Sequence, residues 1–280
     1  MRVPVAVVSS DTSGNSQGLS RVCENLLEKW DPLFSKTVDP ARTGRMDAIL
    51  GDLYVHFRGE FRVLDLGCGP GPLTAQILRR FPKCRVVALD TDPVLLRVGA
   101  VALNRYSKRL RWVLADLREK DWVTDLPVRR FDAVVSSLAL HWLEKEEIRA
   151  LYSNLRGVLR PGGLFLNGDF LPSSRSKGRV GSPGRAVERS PSGVRPSLDT
   201  RDFKRGWTKW WEALSAEPSM SKALSERQIR MPGTLPPRRT TGPKIPVSLE
   251  THQRALRDAG FRQTSVSWQA RGMCVLLGIR

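Results

Sequence analysis

The residues best suited to chemistry begin in one short stretch, Val63-Leu64-Asp65-Leu66-Gly67-Cys68-Gly69-Pro70-Gly71, where an apolar run breaks into glycines. Glycine there lets the backbone turn tightly and lets a ligand lie against bare main chain. A dinucleotide fold calls for GxGxxG, whose third glycine admits close helix packing. Here that position is Pro72 and the glycines fall as GxGxG, so the dinucleotide reading loses. Asp90 ends the next apolar run, where a carboxylate can accept both hydroxyl protons of a ribose. Its alternative role, a helix N-cap, is already supplied by Thr91-Asp92-Pro93. Asp116, in Leu114-Ala115-Asp116-Leu117, is placed to accept a hydrogen bond from an adenine amino group, or else is a plain turn aspartate.

A proton acceptor is harder to find. His141 lies in Ser136-Ser137-Leu138-Ala139-Leu140-His141-Trp142, after the fourth apolar run, and is the candidate general base. A histidine there can take a proton from an oxygen or nitrogen acid near neutral pH. The plainer alternative is that it bonds to backbone or lines the cofactor pocket. His56 and His252 fall on predicted helices and read as surface or packing residues, and no catalytic dyad is legible. The scattered cysteines, Cys23, Cys68, Cys84 and Cys274, support neither a metal site nor a disulfide framework.

These residues need a scaffold that delivers them to one edge. Apolar runs at 61–66, 84–89, 110–114, 131–136 and 164–167 alternate with helical patterns at 73–81, 93–106 and 145–159. Such alternation predicts an α/β, doubly wound, mainly parallel sheet. Before it come a lead at 1–18 without periodicity and two helices, about 19–34 and from Asp39-Pro40 to Phe57, forming an N-terminal helical cap. The core spans 59–172. A basic insertion at 173–247 reads as a flexible lid, with a helix over 203–214 that carries Trp207, Trp210 and Trp211. Those tryptophans either close a substrate pocket or pack the lid onto the core. A helix at 248–259 and a hairpin of strands at 261–268 and 273–279 complete the core.

With these marks in this order, residues 61–171 resemble the class I S-adenosylmethionine (SAM) dependent methyltransferase family. The segments Phe131-Asp132-Ala133-Val134-Val135-Ser136 and Leu159-Arg160-Pro161-Gly162-Gly163 extend the likeness. The resemblance implies a seven-stranded Rossmann-like sheet with an antiparallel last strand. It implies SAM as cofactor, with the methionine end among Asp65, Gly67, Gly69 and Gly71, the ribose at Asp90, and the adenine at Ala115-Asp116-Leu117. The full candidate cofactor set is Asp65, Gly67, Cys68, Gly69, Gly71, Asp90, Thr91, Ala115, Asp116, Leu117 and Ser136, with no metal.

Methyl transfer from a sulfonium is an in-line displacement that needs chiefly a positioned nucleophile, and a base only where that nucleophile starts protonated. Base-amine and glutamine methylation is disfavoured, because Ser136-Ser137-Leu138-Ala139 stands where Asn or Asp followed by Pro-Pro-Tyr belongs. The stretch Ser-Leu-Ala-Leu-His-Trp resembles small-molecule methyltransferases, among them the trans-aconitate and malonyl-carrier-protein enzymes. A small-molecule acceptor is therefore expected. Two alternatives stay open: RNA (tRNA or rRNA) methylation through the basic insertion, and a SAM-binding module without turnover. The chain's net charge of +18 fits an acidic partner or an Arg-rich background spread over solvated faces. The apolar stretch at 1–8 is too short for a signal-peptide core and no span follows, so no membrane and a cytoplasmic location are expected. Oligomeric state is not legible.

Overall fold

A computed structural model describes residues 16–35, 42–173, 201–233, 247–270 and 272–280 of the chain. Expectations for Asp39-Pro40, for most of the lead at 1–18, and for 174–200 and 234–246 of the insertion lie outside those residues. The strands are β1 Arg62–Leu66, β2 Arg85–Asp90, β3 Leu110–Leu114, β4 Phe131–Ser137, β5 Leu159–Phe170, β6 Gln263–Ala270 and β7 Met273–Ile279. They form one seven-stranded sheet in the order β3-β2-β1-β4-β5-β7-β6. The first five are parallel; β7 runs antiparallel between β5 and β6. The order reverses beside β1, so the carboxyl ends of β1 and β4 open the crevice where doubly wound sheets bind ligands.

Alternation along each strand divides the core between two faces. Leu64, Leu66, Val134 and Leu276 pack with helices α5 Lys145–Val158 and α8 Leu249–Asp258. Val63, Ala133, Val135 and Val275 pack on the other face with α2 Arg42–His56 and α3 Pro72–Arg80. Strands buried on both faces read as continuous apolar runs, which is why they were visible in the sequence.

The remaining helices form a third cluster on the flank of the sheet. Here α1 Ser16–Ser35 meets α4 Pro93–Ala102 and the insertion helix α6 Arg201–Ser215 through Leu19, Cys23, Leu26, Val98, Trp210 and Trp211. The Trp210 indole N–H donates to the Leu26 carbonyl at 2.9 Å. Trp210 and Trp211 therefore pack the insertion onto the body of the molecule, the second of the two roles the sequence left open. A further helix, α7 Ser221–Arg230, was not foreseen. Helix α4 stops at Ala102, and a short 3-10 turn at Asn104–Tyr106 takes up the length expected of it. Among the described residues no helix is long and apolar enough to cross a membrane.

Candidate functional site

The Gly-rich turn leaves β1 with Gly67, Gly69 and Gly71 all at positive φ. Two of them are required by close approach. A Cβ on Gly67 would stand 2.3 Å from the Ala139 Cβ, so the turn is pressed against the segment after β4. A Cβ on Gly71 would stand 2.7 Å from the Trp112 ring, a packing demand and not an opening for a ligand. The turn is tied to β2: the Cys68 amide donates to the Leu89 carbonyl at 3.0 Å. The Gly69 amide donates to Asp90 Oδ2 at 2.7 Å. Asp90 thus ends β2 within hydrogen-bonding reach of the glycine backbone.

Asp90 also accepts from the Asp92 amide at 2.9 Å, and burial is the largest influence on it, pushing its carboxyl up to about 6. The helix N-cap falls to Asp92, which accepts from the Val94 amide at 3.0 Å. Asp65, 1% exposed, accepts from the Thr74 hydroxyl at 2.6 Å, and burial pushes it up to about 7. Two carboxylates with raised affinity for protons, Asp65 buried and Asp90 half-buried, therefore stand beside one glycine turn. A ligand bringing hydroxyl donors or positive charge relieves the desolvation that raises them.

The other candidates are placed unequally. Ala115 is buried and its amide donates to the Asp90 carbonyl at 3.1 Å. Asp116 serves its own turn, accepting from the Arg118 amide at 2.9 Å and from the Arg118 guanidinium on both oxygens. Burial would raise its carboxyl, but Arg118 overcomes this and holds it below the usual range. Leu117 packs against the core beside it, and Thr91 is half-buried next to Asp90. Ser136 is buried and donates to the Leu66 carbonyl at 2.9 Å, joining β4 to β1. Burial lifts the Cys68 thiol well above its ordinary range, so it is no nucleophile.

The segment after β4 carries the one non-glycine residue at positive φ among the described residues, Leu138 at 55°. Its amide is held by the Gly168 carbonyl at 3.0 Å. Such a conformation costs of order 1–3 kcal/mol and persists only where its surroundings fix it. The strained turn delivers His141, whose Nδ1 lies 2.7 Å from Asp169 Oδ1 while its amide donates to Asp169 Oδ2 at 3.0 Å. Asp169, on β5, is fully buried. Burial pushes its carboxyl up, but the His141 ring and the amides of Phe170 and His141 outweigh that and hold it low. An ionised carboxylate only accepts, so Nδ1 bears the proton and the ring's basic lone pair is on Nε2.

No such pair is legible in the sequence. Asp169 escapes notice there because its partner lies 28 residues away, on the turn after β4, and its neighbours Asn167 and Gly168 match no motif. His252 is buried on α8 with its Nδ1 2.6 Å from the Tyr152 hydroxyl, and burial pushes it down to about 4, so it is a neutral packing residue. His56 is exposed.

A second unforeseen link reaches the glycine turn from the insertion. Arg227 on α7 is 5% exposed and Asp92 is 6% exposed. The Arg227 Nε donates to Asp92 Oδ2 at 2.7 Å, and its guanidinium lies 5.1 Å from the Trp211 ring centre. The chain of contacts Arg227–Asp92–Asp90–Gly69 connects α7 to the turn.

Comparison with known proteins matches residues 63–163 to the model of a methyltransferase domain. An uncharacterized methyltransferase of Mycobacterium tuberculosis is 39% identical over 117 residues, 41% of this chain and 54% of that one. A trans-aconitate 2-methyltransferase of Methylobacterium radiotolerans is 33% identical over 139 residues, 50% of this chain and 48% of that one. The chain thus spans about half the length of the curated relatives it matches. Among solved structures, human N-acetylserotonin methyltransferase in complex with SAM has a similar fold. Its TM-score is 0.50 at 16% identity, covering 95% of this chain and 56% of that one.

Proposed function

We propose that the chain, whose residues 63–163 match the model of a methyltransferase domain, is a class I SAM-dependent enzyme that binds SAM at the Gly67–Gly71 turn and methylates a small molecule. The observation that carries this is the Asp90 carboxylate, half-buried and bonded at 2.7 Å to the Gly69 amide. It sets an anionic acceptor against bare backbone at the switch point of the sheet. The residues fit the cofactor: Asp90 would hold the ribose hydroxyls, and Asp65 with Gly67 and Gly69 the methionine end. Ala115, Asp116 and Leu117 would border the adenine, with Asp116 sharing its oxygens between Arg118 and the amino group. When bound, SAM supplies an electrophilic methyl on a sulfonium.

This chain's own part is to position and to manage a proton. The carboxylates Asp65 and Asp90 fix the cofactor end of the crevice. His141 accepts the acceptor's proton at Nε2, and Asp169 stabilises the imidazolium that results. Support for a small-molecule acceptor comes from the relative named for trans-aconitate and from another named for malonyl-[acyl-carrier protein], the latter 30% identical over 116 residues.

Calorimetry with SAM and with its demethylated product tests the cofactor site. We expect micromolar binding, weakened about 30- to 100-fold in Asp90→Ala, the value of one or two hydrogen bonds to a charged group. Unchanged affinity in that variant discards the ribose assignment. A labelled-methyl screen over metabolite fractions then identifies the acceptor. His141→Ala should lose turnover with SAM affinity intact, and an undiminished rate ends its candidacy as base.

A further inference from the structure

Among the described residues of the sheet and its crossover helices, positive charge gathers at the end opposite the glycine turn. In a doubly wound sheet the parallel strands start, and the intervening helices stop, on the same side. On that side lie residues 57–62, 79–85, 104–111, 128–132, 156–163 and 257–263, together with Arg280. These segments hold seventeen Lys and Arg against three Asp and Glu, a surplus of fourteen; residues 175–244 carry a second surplus of ten, and the rest of the chain is net acidic. One of the three acids, Asp132, is already engaged, by the Arg160 guanidinium at 2.6 Å and the Arg62 amide at 2.7 Å. The register sets the charges side by side: Arg62 and Arg85 are direct partners across β1 and β2, and both are exposed.

Helix C-termini favour a cation in the last turn, worth about 0.3–1 kcal/mol each. That accounts for one residue per helix, not for exposed arginines on the first residues of strands. The collar is also interleaved with aromatic rings. The guanidinium carbons of Arg58 and Arg80 lie 4.3 and 5.2 Å from the Tyr54 ring centre. Those of Arg105 and Arg109 lie 5.0 and 5.4 Å from that of Tyr106. Guanidinium forks match phosphate oxygens, and aromatic faces stack unpaired bases.

We propose that this collar is a docking surface for single-stranded nucleic acid, RNA above all, with the phosphates on exposed cations such as Arg62, Arg85 and Lys108 and bases against Tyr54 and Tyr106. Arg109 is engaged by the Leu78, Phe81 and Cys84 carbonyls. An anionic membrane is the weaker occupant. Among the described residues the exposed large apolar side chains are Tyr54, Val55 and Ile229, too few to enter a bilayer. The surface lies opposite the cofactor turn, so the bound strand is an anchor and not the methyl acceptor. The assignment does not rest on the methyltransferase reading.

The test is fluorescence anisotropy with a labelled oligouridylate and the full chain. We expect a Kd on the order of 10 μM at about 0.1 M salt, with log affinity falling by about 0.7 per contacted phosphate as log salt rises. The triple variant Arg62→Glu, Arg85→Glu, Lys108→Glu should bind at least tenfold more weakly with a shallower salt slope. The milder triple change of the same residues to Gln should lie between, should the reversal impair folding. Reversing Lys204, Lys209 and Lys222 on the insertion helices should change affinity less than twofold. SAM affinity, measured in parallel, should be the same in wild type and collar variants, which separates this proposal from the cofactor site. Three results would overturn it: no binding at low salt, equal loss in the insertion variant, or capture by phosphatidylserine vesicles or polyglutamate as tight as by the oligonucleotide.

Discussion

Asp65 and Asp90 carry the pH dependence expected of cofactor binding. Burial favours their protonated forms, with carboxyls at about 7 and about 6. A ribose hydroxyl needs the ionised form as acceptor, so SAM affinity should fall by up to tenfold for each pH unit below about 6. Without ligand the sign is opposite. The stability these protonated carboxyls contribute is complete below about pH 4 and is lost as pH rises through 6 to 7. Calorimetry at pH 6 in two buffers of different ionisation enthalpy should therefore register proton release on SAM binding. A heat independent of buffer contradicts the assignment. Gly67 makes a steric claim of the same kind. Gly67→Ala overlaps Ala139 at a left-handed position and should cost about 1–3 kcal/mol along with cofactor affinity. Adding Ala139→Gly should restore part of both, as thermal unfolding and calorimetry would show.

At the scale of elements, the link between α7 and the Asp92 cap ties the insertion to the proposed cofactor site. Removing one partner of a buried ion pair leaves the other charge uncompensated, which typically costs 3–5 kcal/mol. Arg227→Ala should lower the melting temperature and also weaken SAM, because Asp92 holds Asp90 through its amide. The double variant Arg227→Met, Asp92→Asn should recover stability beyond either single change. Equal SAM affinity in wild type and Arg227→Ala would confine the pair to a packing role. The sequence could not reveal this helix, because its hydropathy is inverted: Arg227 is buried while Ile229 is 82% exposed. The parallel strands, by contrast, were legible, since Val63–Leu66 and Ala133–Val135 are buried on both faces. The expected seven-stranded sheet with an antiparallel last strand is the sheet observed. The glycine turn and Asp90 were legible because both are local in sequence. Asp169 was not, because a partner 28 residues away on a turn leaves no mark on the residues around it.

On the scale of the whole molecule, charge is sorted along the sheet axis. Asp65, Asp90, Asp92, Asp116 and Asp169 sit at the carboxyl ends of the parallel strands, and the arginine collar at their starts. Such a separation draws a cationic cofactor to one end and polyanions to the other. It also strains the free protein, since like charges within a Debye length, about 10 Å at 0.1 M salt, repel. Self-repulsion is relieved by screening or by a bound anion that favours the folded state. The melting temperature should therefore rise with sodium chloride between about 0.02 and 0.2 M, over the range where screening sets in, and rise again on adding oligouridylate. The triple change of Arg62, Arg85 and Lys108 to Gln removes part of the repulsion, so its melting temperature should start higher at low salt and climb less. A steeper salt response in that variant than in wild type would show that the collar is held by unseen anionic neighbours within the chain, and would remove the driving force for docking.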